Sequence, residues 1–72
     1  MRDTVKVTFK VHFETNFGQN LYLIGNTDEL GSWSNFTNKM EWSHGHIWHI
    51  TVTFEAMEFI EYKYVVISED RS

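Results

Sequence analysis

The sequence predicts an all-β protein, a small antiparallel sandwich of five to six short strands. Three observations carry this. Two segments alternate apolar and polar residues almost without a break. Strand-length apolar runs are separated by turn-forming stretches. No segment spaces its apolar residues as a helix would.

The first element is "TVKVTFKVHFE". Val5, Val7, Phe9, Val11 and Phe13 fall on one face; Lys6, Thr8, Lys10, His12 and Glu14 fall on the other. That is a half-buried strand of an antiparallel sheet. "NFGQN" reads as a turn. "LYLIG" has strand length, but all four residues before its glycine are apolar, so its facing cannot be read. Residues 25–38 form a long polar loop in which "DEL" makes at most one helical turn. A loop of this length in so small a domain is a functional signal.

"KMEWSHGHIWHITVTFE" reads as a hairpin. Met40 and Trp42 share a face of its first arm, and Gly45 suits a turn with positive φ. Its second arm sends Trp48, Ile50, Val52 and Phe54 inward, with His49, Thr51 and Thr53 outward. "EAME" breaks the pattern. "FIEYKYVVI" is the last strand, with Tyr62, Tyr64 and Val66 inward and Glu61, Lys63 and Val65 outward. A sandwich of this kind wants a further strand, so an open edge, able to pair in a dimer, is expected.

The 72 residues form one domain with a modest core. Net charge is -4, and the six Lys and Arg residues are scattered, so nucleic acid is not an expected partner. No apolar run approaches the ~20 residues that span a bilayer, so no membrane role is expected. The start, "MRDTVKVTFK", lacks a signal-peptide core. With no cysteine there is neither a disulfide framework nor a thiolate site. That suits a reducing compartment, and a cytoplasmic location is the favoured expectation.

Acid–base catalysis needs two carboxylates facing each other across a cleft. Asp28, Glu29, Glu41, Glu61, Glu69 and Asp70 fall mainly in loops and on outward faces, where water solvates them. His44, His46 and His49 in "HGHIWH" are clustered enough to suggest a metal. On a strand, however, His46 and His49 diverge, and the bland reading is a set of solvated turn histidines. No nucleophile elbow or phosphate loop is present. No cofactor is expected. What remains is a chain that is 17% aromatic. Trp33, at the end of "GNTDELGSW", offers a flat, rigid face on which a sugar ring can stack. Periodicity alone leaves open whether Trp33 is such a platform or folds back over the core.

"VTFKV", "NFGQNLYLIGNTDELGSW", "IWHITVTF" and "FIEYKYV" occur in this order. Together they resemble the family 20 starch-binding module, over nearly the whole chain. The most specific parts are "ELGSW", similar to the family's Glu-Leu-Gly-x-Trp, and "EYKY", similar to its Glu-Tyr-Lys-Tyr/Phe. The resemblance implies an Ig-like antiparallel β-sandwich that binds starch, glycogen or similar α-glucans without catalysing anything. It implies a role in holding an attached or associated catalytic domain on polysaccharide. Trp33 matches a stacking tryptophan, and Lys63 matches a lysine that hydrogen-bonds sugar hydroxyls. The family's second tryptophan follows the "YKY" strand in a Trp-Glu pair. Residues 1–72 end before it, so a single module truncated at its C-terminus is expected. For the family's second site, Phe17 before Gly18 matches one aromatic, and His44 or its neighbours stand where the other belongs. Trp42 and Trp48 match buried positions.

Two other readings stay open. One is an Ig-like protein-interaction domain using an open sheet edge. The other is a metal-dependent enzyme fragment built on His44, His46 and His49.

Overall fold

The computed structural model describes residues 3–69; Asp70 lies outside them. Its elements are β1 (Thr4–His12), β2 (Gln19–Gly25), a 3-10 helix (Asp28–Leu30), β3 (Asn38–Lys39), β4 (Glu41–Ser43), β5 (Ile47–Glu55) and β6 (Tyr62–Ser68). Among the described residues these make two three-stranded antiparallel sheets, ordered β1-β5-β4 and β3-β2-β6. This is the all-β sandwich that the alternation predicts.

The register explains the facing. β1 pairs with β5 along its whole length, from Thr4 opposite Glu55 to His12 opposite Ile47. Phe9 therefore lies opposite Ile50, and Val11 opposite Trp48, on one side of the sheet. In β2, Leu21 and Leu23 turn inward and are almost completely buried. Tyr22 and Ile24 take the outer face. The inner residues close one core of Phe9, Leu21, Leu23, Leu30, Met40, Trp48, Val52 and Phe54. Phe9 and Phe54 meet edge to face at 6.1 Å. Trp48 buries its ring and still donates Nε1–H to the Phe13 carbonyl at 3.2 Å, so its buried indole N–H is paired.

The first arm of the expected hairpin is not one strand. It divides at Met40: β3 pairs with β2 in one sheet, and β4 pairs with β5 in the other. Met40 is buried at this change of sheet. Trp42 departs from the expected core position: it is 48% exposed. It lies opposite Trp48 and so faces the same side. But β4 is an edge strand, and β3, the edge of the other sheet, has only two residues to cover it.

Tyr62, Tyr64 and Val66 do take the inner side of β6, yet Tyr62 and Val66 are exposed. The reason is again an edge. β1 and β6 border their sheets, and a seam of about 320 Å³ lies between them, lined by Val7, Phe9, Ile60, Tyr62 and Tyr64 among others.

Leu30 is the plug between loop and core. It is fully buried, and it is delivered by a single 3-10 turn that Thr27 caps through its side chain at 3.3 Å. Leu30→Ala is expected to cost roughly 2–5 kcal/mol, the range for deleting a buried leucine side chain. Urea unfolding followed by tryptophan fluorescence measures it.

Candidate functional site

The site grows from the end of β2. After the 3-10 turn, three successive residues adopt left-handed backbone: Gly31 (φ 88°), Ser32 (φ 49°) and Trp33 (φ 61°). Glycine takes this conformation readily. A tryptophan does so at a cost on the order of 1–3 kcal/mol, which the surroundings must offset. Here a dense set of bonds does so. Ser32 N donates to the Thr27 carbonyl at 2.9 Å, and Trp33 N to the Gly25 carbonyl at 2.8 Å. Asn35 N returns to the Gly31 carbonyl at 3.0 Å, and Ser32 Oγ bonds Asp28 Oδ1 at 3.0 Å. A Cβ on Gly31 would collide with the Asn35 carbonyl oxygen. The loop is thus wound so tightly that Trp33 is fixed by its backbone while its ring stays 46% exposed.

Lys63 reaches the same place from β6. It lies opposite Ile24, on the outer face of the sheet. Its Nζ stands 5.8 Å from the centre of the Trp33 ring, within the range of a cation–π contact. The structure therefore brings together a flat aromatic and a polar donor that lie thirty residues apart in the chain.

A second aromatic surface lies at the opposite end of β2. A groove of about 360 Å³ is lined by Thr15, Asn16, Phe17, Trp42, His46 and Trp48 among others. Phe17 is fully exposed at its tip. His44 is not part of this lining; its ring stands edge-on to Trp42 at 5.7 Å, and the His46 ring does the same at 5.9 Å. The aromatic facing Phe17 across the groove is Trp42. The sequence showed this tryptophan, but its match to a buried position of the family made Trp42 read as core.

The three histidines do not converge. His49 lies between Lys10 and Glu41 on the outer face of its sheet, away from the turn that carries His44 and His46. Among the described residues no group of three His, Cys, Asp or Glu side chains is arranged to hold a metal. Phe36 is a lone aromatic in a loop with no periodicity to mark it, and Tyr22 lies in the apolar run of β2 whose facing the sequence does not show. Their rings meet edge to face at 6.3 Å.

Exposed rings beside polar side chains, carried on a two-sheet sandwich, define the class of small non-catalytic carbohydrate-binding modules. The comparisons with known proteins agree. The model of the starch-binding domain family matches residues 4–72. The chain is 36% identical over 64 residues to glucoamylase-1 of Schizophyllum commune, a match covering 88% of this chain and 11% of that protein. It is also 36% identical over 70 residues to the cyclomaltodextrin glucanotransferase of Geobacillus stearothermophilus, covering 88% of this chain and 10% of that one. Among solved structures, a family 15 glycoside hydrolase glucoamylase from Hypocrea jecorina superposes with a TM-score of 0.85 at 34% identity, over 96% of this chain and 12% of that chain. The chain belongs to the starch-binding domain family. It spans about a tenth of the length of the curated relatives it matches.

One acidic group near the loop is out of balance. Glu58 Oε1 is shut off from solvent and has no hydrogen-bond partner among the described residues. Desolvation, then the charges of Glu29, Glu55 and Asp28, push its carboxyl above the ordinary carboxylate value. A raised carboxyl favours the protonated form in the fold. Its contribution is therefore complete at pH below the ordinary carboxylate value and is lost as pH rises through the raised one. Glu58→Gln is expected to flatten that loss and raise the melting temperature at neutral pH relative to wild type. Thermal unfolding at several pH values reads this.

Proposed function

We propose that this module binds α-glucan chains of the starch and glycogen type at the Trp33 ring, with Lys63 hydrogen-bonding the sugar hydroxyls. The observation that carries this reading is the Lys63 ammonium held 5.8 Å from an exposed, backbone-locked tryptophan ring. The C–H faces of a pyranose stack on such a ring. A rigid ring gives up little entropy on binding, because it is already fixed. The role is to concentrate an attached or associated enzyme on its polysaccharide by raising effective concentration. The relatives' names fit this, since they are glucoamylases and glucanotransferases.

The groove between Phe17 and Trp42 supports a second contact with the same ligand. In this reading Trp42 supplies the stacking face that the sequence assigned to His44, and His44 braces the Trp42 ring from the side.

Three measurements follow. Trp33→Ala is expected to lose most retention on granular starch in a sedimentation assay; equal retention of variant and wild type sinks the site assignment. Binding is expected to change little between low and moderate salt, because the ligand carries no charge to screen. Trp42→Ala is expected to weaken binding to granules while leaving the affinity of a short malto-oligosaccharide at Trp33 unchanged. Calorimetry separates the two.

A further inference from the structure

The outer face of the β3-β2-β6 sheet carries more than Trp33 and Lys63. Alternation and register place Asn20, Tyr22 and Ile24 of β2 on that face, with Lys63, Val65 and Ile67 opposite them on β6 and Lys39 opposite Tyr22 on β3. Trp33 is anchored at the Gly25 end of β2. Phe36, three residues further along the same loop, lies against Tyr22 with ring centres 6.3 Å apart and is 49% exposed. Beyond it, Glu69 Oε2 accepts from Asn20 Nδ2 at 2.6 Å and from the Tyr22 hydroxyl at 3.1 Å, and Lys39 Nζ stands 3.8 Å away. Ile24, between the two aromatic positions, is only 2% exposed.

We propose that this second patch, with Phe36 as its stacking face and Glu69 and Lys39 as its polar groups, extends the glucan site along the sheet and takes the later rings of a longer chain. The proposal rests on the reading of Trp33 and Lys63 as the primary contact. Three features argue for it. The patch repeats the composition of the first site, an exposed ring and an ammonium: Phe36 packs against Tyr22, and Lys39 lies opposite Tyr22 in the same sheet. From Gly25 to Tyr22 is three residues of strand, roughly 10 Å, which a short oligosaccharide spans and a single sugar ring does not. The polar groups are also held in place and yet available. Both partners of the Lys39–Glu69 pair are about half exposed, and such a surface pair contributes little to stability. Burial, and then the hydrogen bond to Glu69, push the Tyr22 hydroxyl above its ordinary value. Tyr22 therefore stays a donor to Glu69 and keeps that carboxylate oriented through Oε2, while Oε1, with no hydrogen bond among the described residues, faces a sugar hydroxyl as an acceptor.

The test is calorimetry with maltose and with maltoheptaose on wild type, Phe36→Leu, Phe36→Trp and Trp33→Ala. Leucine preserves the apolar cover over Tyr22 and removes the flat ring. Phe36→Leu is expected to weaken maltoheptaose by roughly three- to tenfold, the scale of one aromatic contact, with maltose unchanged. Phe36→Trp is expected to bind maltoheptaose at least as well as wild type. Unchanged maltoheptaose affinity in Phe36→Leu overturns the proposal. So does an equal loss on both sugars, which means Phe36 acts only through the Trp33 loop. Should Phe36→Leu not fold, Lys39→Ala, at an exposed side chain, decides instead: a loss confined to maltoheptaose supports the extension and no loss overturns it. Trp33→Ala is the separate control. It is expected to weaken both sugars, and if both affinities survive it, the primary reading has failed.

Discussion

The close approach at Gly25 is what the exposed face of this protein depends on. A Cβ there would collide with the Glu61 carbonyl oxygen and with the Leu30 side chain. Only glycine lets the end of β2, the approach to β6 and the core plug Leu30 meet at one point. Asn26 then stitches the junction: its backbone N–H donates to the Glu61 carbonyl at 3.0 Å, its Oδ1 accepts from Glu61 N at 2.8 Å, and its Nδ2 reaches the Phe59 carbonyl at 2.9 Å. The Gly25 carbonyl in turn receives Trp33 N–H. The platform ring and the strand that carries Lys63 are thereby referred to the same two residues.

That arrangement explains how a domain this small holds a bulky residue at positive φ. The strain at Trp33 is local, while the bonds that hold it reach back to Gly25, Thr27 and Asp28 and through Leu30 into the core. Rigidity at the loop is therefore a product of core packing. A surface held in this way needs little further ordering on binding a partner.

The aromatic residues divide by what covers them. Trp48 and Phe54 sit on the central strand β5 and are buried, and Phe9, on β1, is buried edge to face against Phe54. Trp42 and Tyr62 face the same interior from edge strands and stay half open. Phe17, Trp33 and Phe36 sit on loops at the two ends and the outer face, where their rings meet solvent. Four of the acids, Asp28, Glu29, Glu55 and Glu58, act on one another, and the raised Glu58 carboxyl reflects it.

The alternation in β1 and β5 determined the sheets, the inward faces and most of the core, because a period of two admits only one buried side per strand. The order Glu-Leu-Gly-Ser-Trp and the outward parity of Lys63 likewise marked the two residues that the fold brings to 5.8 Å. The facing of "LYLIG", the division of the hairpin arm at Met40, and the exposure of Trp42 were not legible. An unbroken apolar run carries no parity, and alternation says which way a side chain points but not whether anything lies over it. Phe36 and the Glu69 network were equally silent, since loop residues have no period and Glu69 meets Asn20 and Tyr22 only through pairing across 47 to 49 residues. Side-chain direction is a local property that the sequence writes out; coverage and long-range proximity depend on where the sheets end, and only the tertiary structure decides that.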